Sequence, residues 1–130
     1  ELSLDRVHVL LVENNEINME IAQFYLEEKG VQVTQAWNGQ EAVDEVKKSE
    51  PGTFDVILMD VMMPVMDGYE ATRRIRSLPD FKKAVTPIIA MTANAFEEDR
   101  RNAMDAGMNE HISKPIDIEK LMSLLKRVMK

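Results

Sequence analysis

At 130 residues the chain is most economically one domain, long enough to bury a core. Apolar residues make up 45% and charged residues 30%, an ordinary globular balance; no apolar run approaches the roughly 20 residues of a membrane helix, and no signal-peptide pattern opens the chain. With no cysteine, disulfides and thiolate metal sites are excluded, and the net charge of -7 argues against direct contact with a nucleic-acid backbone; a cytoplasmic setting without membrane contact by this domain is expected.

Residues 1–6 are polar and read as a leader or the end of a linker, so the folded domain is expected over 7–130. Val7 to Val12 is a β-branched-rich apolar run, read as a buried strand that ends in Glu13-Asn14-Asn15. Asn14 or Asn15 can cap a helix in which Ile17, Ile21 and Phe24 recur at helical spacing, with Gly30 as a left-handed stop. Val31 to Ala36 is a second strand and Asn38-Gly39 a turn. Ala42, Val43 and Val46 mark a second amphipathic helix, stopped before Pro51-Gly52. Val56 to Met59 is an unbroken apolar run, a third strand buried on both faces. It ends in Asp60 and a loop with Pro64 and the turn pair Asp67-Gly68.

A third helix carries Ala71, Ile75 and Leu78 on one face and ends at Pro79. Thr86 to Met91 reads as strand four, with Pro87 tolerable near its start, followed by Thr92-Ala93-Asn94. A fourth helix is expected from about Phe96 to Ala106, stopped by Gly107. Glu110 to Ser113 makes strand five and ends at Lys114-Pro115. In the last helix Ile118, Leu121, Met122, Leu125 and Val128 form one stripe, with Asp117 as cap. Five strands alternating with five helices predict a flavodoxin-like, doubly wound α/β fold: a five-stranded parallel sheet in the order 2-1-3-4-5.

Ligands of open α/β sheets bind beyond the carboxyl ends of the strands. This sequence places Glu13 and Asn14, Asp60, Thr92 and Lys114 at four such ends. Taken singly, each has a structural reading as a cap, a turn residue or a solvated charge; structure alone does not readily account for all of them together. Two close carboxylates repel, which raises one pKa or demands a cation, and hard oxygen donors with open water positions suit Mg²⁺. An aspartate near Mg²⁺ is a plausible nucleophile toward phosphorus, forming an acyl phosphate. The added charge, roughly 1.5 to 2 negative units, then needs Mg²⁺, an ammonium such as Lys114 and a donor such as Thr92.

The motifs Leu11-Val12-Glu13-Asn14-Asn15, Asp60-Val61-Met62-Met63-Pro64 with Met66-Asp67-Gly68, Met91-Thr92-Ala93 and Lys114-Pro115 together resemble the response-regulator receiver domain over nearly the whole chain. The resemblance implies that Asp60 accepts a phosphoryl group from a phosphohistidine on a histidine kinase or histidine phosphotransfer domain. It implies a Mg²⁺ site at Glu13, Asn14, Asp60 and the Met62 backbone carbonyl, with Thr92 and Lys114 on the phosphoryl oxygens. Thr92 and His111 correspond to the switch pair, and Met62 and Asn94 to positions that tune phosphate lifetime. The Lys114-Pro115 bond is expected to be cis. The domain would catalyse its own phosphorylation and later dephosphorylation, shifting the face made by its fourth helix, fifth strand and fifth helix.

Two departures stand out. The second acid usual after strand one is here the neutral amide Asn14, which predicts weaker Mg²⁺ binding, and the aromatic switch position is His111 rather than Tyr or Phe. Asn15-Glu16-Ile17-Asn18 and the segments around Thr92 and His111 look most like receivers of hybrid histidine kinases, so this two-component phosphorelay module is expected to be part of a hybrid sensor kinase, with covalently linked kinase domains as partners and a membrane-associated parent, and a stand-alone relay protein is the second reading. The alternatives are a docking-only pseudo-receiver, which Asn14 leaves open, and an aspartyl-nucleophile phosphatase. Such phosphatases carry an Asp-x-Asp pair after the first strand, where this chain has Glu13-Asn14-Asn15.

Overall fold

The computed structural model describes residues 6–93 and 96–129. Strands β1 (His8–Val12), β2 (Gln32–Ala36), β3 (Val56–Asp60), β4 (Ile88–Thr92) and β5 (Glu110–Ser113) form one parallel sheet in the order β2-β1-β3-β4-β5. The connecting helices are α1 (Glu16–Glu28), α2 (Gly39–Lys48), α3 (Gly68–Arg76), α4 (Phe81–Ala84), α5 (Glu97–Ala106) and α6 (Ile118–Val128). The predicted fold class and strand order hold. Of the expected leader only Arg6 is among the described residues.

Alternation along the strands feeds two cores. Leu10, Val12, Ile57, Met59, Ile88 and Ala90 face α2, α3 and α5, packing on Val43, Val46, Ala71, Ile75 and Ala103. Val9, Leu11, Val56, Leu58, Ile89 and Met91 face the opposite layer, where Met19 and Leu26 of α1 meet Leu121, Leu124 and Leu125 of α6. Because both faces are covered, the central strands read as continuous apolar runs rather than alternating ones.

Three local expectations change. Among the described residues there are six helices rather than five: α4 is a single turn whose Asp80 cap accepts from the Lys83 N–H at 3.1 Å, too short to show an apolar period. Strand four begins at Ile88 rather than Thr86; Pro87 has no N–H for the ladder, although its carbonyl accepts from Ile57 at 2.8 Å. The third point is α1, where the expected helix holds and Ile17, Ile21 and Phe24 are 66%, 50% and 58% exposed, while Met19 and Leu26 fill the core. The spacing was helical, but the stripe faces solvent.

The pairs Asn38-Gly39 and Asp67-Gly68 are helix starts rather than free turns. Asn38 and Asp67 are N-caps, each accepting at 2.8 Å from the N–H three residues on. Each glycine permits a close backbone approach. A Cβ on Gly68 would lie 2.4 Å from the Asp60 carbonyl oxygen, and one on Gly39 2.4 Å from that of Met66. The loop between Asp60 and Gly68 is thereby pressed onto the end of β3 and the start of α2. The Gly68 N–H bonds the Val61 carbonyl, and the Gly39 N–H the Met66 carbonyl, each at 3.1 Å.

The same loop carries a conformational load. Val65 has φ 71 inside a three-residue turn closed by the Met66 N–H on the Pro64 carbonyl at 2.7 Å, the rarer and strained hand of the γ-turn. A β-branched residue is poorly suited to that region. Since the side chain is almost wholly exposed, Val65→Gly relieves strain without opening a cavity. Urea unfolding is expected to show a gain of about 1 kcal/mol; an unchanged or lowered midpoint would mean the turn is not strained.

Candidate functional site

The carboxyl ends of β1, β3, β4 and β5 bring the predicted residues to one edge of the sheet. Val12 pairs with Met59 and Asp60 with Met91, so Glu13, Asp60 and Thr92 each lie at, or one residue beyond, the end of adjacent strands. Thr92 is opposite Ser113, and its carbonyl accepts the Lys114 N–H at 2.7 Å. That bond seats Lys114 beside Thr92. The Lys114-Pro115 peptide is cis, as expected from the motif.

The side chains form a compact charged cluster. Glu13 and Asp60 are each 3% exposed. The Lys114 ammonium reaches Glu13 Oε1 at 3.0 Å and Asp60 Oδ2 at 3.1 Å. The second oxygen of each acid takes a backbone N–H two residues on: Asn15 donates to Glu13 Oε2 at 3.1 Å and Met62 to Asp60 Oδ1 at 3.2 Å. One ammonium thus faces two acids. Burial, and after it the charge of Glu13, push the Asp60 carboxyl up to about 6, with Lys114 only partly opposing them. Burial works to lower the Lys114 ammonium, but its bonds to the two acids outweigh burial and hold it above the ordinary lysine value.

The donor set fits a hard divalent cation. Two buried carboxylates with incomplete charge compensation would be relieved by one, and oxygen ligands are what Mg²⁺ takes. Among the described residues no third His, Cys, Asp or Glu joins them in a metal-binding group. The remaining protein oxygens within the motif are therefore neutral: the amide of Asn14, whose residue is exposed, and the main-chain carbonyl of Met62. Asn15, not Asn14, is the cap of α1, accepting from the Asn18 N–H at 2.9 Å. This leaves Asn14 without a capping role.

His111 is half-buried on β5 and pairs with Ala90. It therefore shares a sheet face with Ala90, Thr92 and Ser113. Asn94 lies outside the described residues, while Met62 is 73% exposed beside Asp60. His8 donates its backbone N–H to Asp55 Oδ2 at 2.9 Å, and its ring Nε2 meets the Thr34 hydroxyl at 2.7 Å.

Two features escaped the sequence reading. A groove of about 480 Å³ lies between α1 and α6, lined by Ile21, Tyr25, Met91, Ile116 and Leu121, and opens at Glu13 and Lys114. The second is Arg76, at the far end of α3, whose guanidinium bonds three backbone carbonyls and the Asn109 side chain. The groove could have been foreseen only by noticing that α1 has more apolar residues than one buried stripe needs. Nothing in the local sequence marks Arg76.

The cluster sets the sign of a stability effect. The folded Asp60 carboxyl holds its proton above the ordinary value of 3.8, so its ionisation costs stability as pH rises from there to about 6, and that loss persists at neutral pH. In the presence of chelator at neutral pH, Asp60→Asn is expected to unfold a few degrees above wild type. A lower Tm would show that the Lys114 contact outweighs burial and repulsion.

The sequence profile of the family described as "Response regulator receiver domain" matches residues 9–126. The chain is 37% identical to Hybrid signal transduction histidine kinase L of Dictyostelium discoideum across 92% of its own length and 7% of the relative's. Among such curated relatives it spans only 5% to 17% of their length. Of solved structures, the receiver domain of a Pseudomonas aeruginosa sensor histidine kinase, which has a magnesium ion coordinated in its active-site cleft, is 39% identical with a TM-score of 0.84, covering 95% of this chain and 97% of that one. The Saccharomyces cerevisiae Ssk1 receiver, crystallised with the histidine phosphotransfer protein Ypd1, is 31% identical with a TM-score of 0.85, covering 97% and 90%. A buried acid at the end of β3, ion-paired across the sheet edge, thus sits in a chain that belongs to the response-regulator receiver family.

Proposed function

We propose that this receiver takes a phosphoryl group from a phosphohistidine onto Asp60, with Mg²⁺, and relays that state to a partner. The observation that supports the reading is the Lys114 ammonium held on Asp60 Oδ2 and Glu13 Oε1, a cation beside the carboxylate that would take the phosphoryl group. The transfer forms a P–O bond to an Asp60 carboxylate oxygen and breaks the donor's P–N bond, and the imidazole leaves carrying a proton. Asp60 is oriented by the Met62 N–H, Lys114 compensates charge, and Thr92, buried at the adjacent strand end, supplies a hydroxyl toward the phosphoryl oxygens. Glu13, Asp60, Asn14 and the Met62 carbonyl would hold Mg²⁺, which when bound neutralises phosphoryl charge. Thr92 and His111 then form the switch pair on the face toward α5, and Met62 and Asn94 tune phosphate lifetime.

The apolar face of α1 supports a protein donor. Ile17, Ile21 and Phe24 are exposed beside a groove that reaches Glu13 and Lys114, the ion-pair partners around Asp60, and a phosphohistidine brought to Asp60 would put its own surface against them. The Ssk1–Ypd1 relative adds weight to a histidine phosphotransfer domain in that role, and the hybrid-kinase relatives to a donor domain in the same polypeptide. No helix of the described residues is long and apolar enough to cross a membrane. A cytoplasmic module, covering residues 7–130 and attached to a larger sensor, is the setting this reading favours.

Incubation with Mg²⁺ and a small phosphodonor is expected to add one phosphoryl group, seen by intact mass and absent in Asp60→Asn. Retention of the adduct in that variant would move the acceptor elsewhere, and no adduct in wild type would favour a docking-only role. A separate titration addresses the neutral Asn14. Asn14→Asp restores a second acid and is expected to tighten Mg²⁺ by roughly tenfold. Equal affinities, followed by Trp37 fluorescence, would exclude Asn14 from the ion's surroundings.

A further inference from the structure

The chain has ten methionines and no cysteine. Thioethers are therefore its only sulfur, and they are the side chains a two-electron oxidant attacks first where it can reach them. Most are buried in the two cores or, like Met63 and Met66, half-buried against them. Among the described residues two are exposed, Met62 at 73% and Met104 at 48%. Met104 stands on α5. Met62 stands two residues after Asp60, and its backbone N–H bonds Asp60 Oδ1 at 3.2 Å.

The loop holds that exposure in place. The Val61 N–H bonds the Met91 carbonyl at 3.2 Å, the Gly68 N–H returns to the Val61 carbonyl at 3.1 Å, and the Gly39 N–H takes the Met66 carbonyl at 3.1 Å. Val61 is buried, and Met63 and Met66 pack on the core beneath α2 and α3. Met62 lies between two inward residues and is left facing solvent. Turning it inward would break the bonds that hold the loop to β4 and to the start of α2. A scattered apolar side chain on a surface is ordinary. Here, however, the exposed thioether is fixed beside a carboxylate that is itself only 3% exposed.

We propose that Met62 is a site of reversible oxidation by peroxide, and that its sulfoxide shortens the life of a phosphoryl group on Asp60. The second half rests on Asp60 being the acceptor. The Met62 sulfur attacks one oxygen of hydrogen peroxide; the S–O bond forms as the O–O bond breaks, and sulfur gives up two electrons. The hydroxysulfonium then loses its proton to the departing hydroxide, leaving sulfoxide and water. A thiol-dependent sulfoxide reductase reverses the change. Hydrogen peroxide is uncharged, so the negative cluster of Glu13 and Asp60 does not repel it. A thioether is a weak hydrogen-bond acceptor and keeps water off its neighbours, whereas a sulfoxide is polar and holds water. Water held there hydrolyses the acyl phosphate: its oxygen bonds to phosphorus, the bond from phosphorus to the Asp60 oxygen breaks, and inorganic phosphate leaves the carboxylate free.

Wild type, Met62→Leu and Met104→Leu are treated with hydrogen peroxide, and the added oxygen is located by peptide fragmentation mass spectrometry. Each is then phosphorylated with Mg²⁺ and a small phosphodonor, and the phosphoryl half-life is read by intact mass against the same protein left untreated. Circular dichroism checks that the treated proteins stay folded. The first oxygen is expected on Met62, severalfold faster than on Met104, with the buried methionines untouched. Oxidation should shorten the half-life severalfold in wild type and in Met104→Leu but leave that of Met62→Leu where it was. Incubating oxidised wild type with a sulfoxide reductase should restore its half-life, a check that needs no variant. A first oxygen elsewhere would overturn the site. An unchanged half-life with Met62 oxidised, or an equal loss in Met62→Leu, would overturn its effect. No phosphoryl adduct on untreated wild type would overturn the acceptor reading and the lifetime effect with it, while the peptide map still decides whether Met62 is the site.

Discussion

A single ammonium shared between two buried carboxylates is the interaction on which this molecule turns. Lys114 cannot neutralise Glu13 and Asp60 together, so the edge of the sheet carries unresolved negative charge in a setting of reduced polarity. An apolar core would not tolerate that arrangement. It survives at the carboxyl ends of parallel strands because one side of the cluster opens to solvent, and because backbone N–H groups of Asn15 and Met62 occupy the remaining carboxylate oxygens. The stored imbalance is what a hard divalent cation would relieve.

Much of the scaffold can be understood as delivering those three side chains. Parallel register sets Asp60 against Met91 and brings the carbonyl of Thr92 onto Lys114. The loop after Asp60 is folded down tightly enough that Gly39 and Gly68 meet main-chain oxygens, and the chain accepts a strained Val65 to complete it. Such precision in a loop is consistent with the placement of reacting groups on rigid element ends.

The strand cores and the acid, amide, hydroxyl and ammonium at their ends were legible in the sequence, because buried parallel strands advertise themselves as apolar runs and polar residues that end them stand out. What was not legible depended on the third dimension. Helical spacing in α1 groups Ile17, Ile21 and Phe24 on one face without saying which way that face points. A one-turn helix such as α4 is too short for any period. Asn38-Gly39 and Asp67-Gly68 have the composition of turns, and only the approach of Met66 and Asp60 reveals why glycine follows the cap. Arg76 looks like one more charge among Arg73 and Arg74, both of which pair with Glu70 on the surface; its burial follows from where α3 ends relative to α5.

The outward face of α1 has a consequence for how such a module diverges. Met19 and Leu26 secure the helix to the sheet, so the interior depends less on Ile17, Ile21 and Phe24, which are half or more exposed. An exposed position constrained little by the interior can change without disturbing it. Duplicated copies of this domain could therefore acquire separate allegiances while keeping an unaltered interior and an unaltered chemistry.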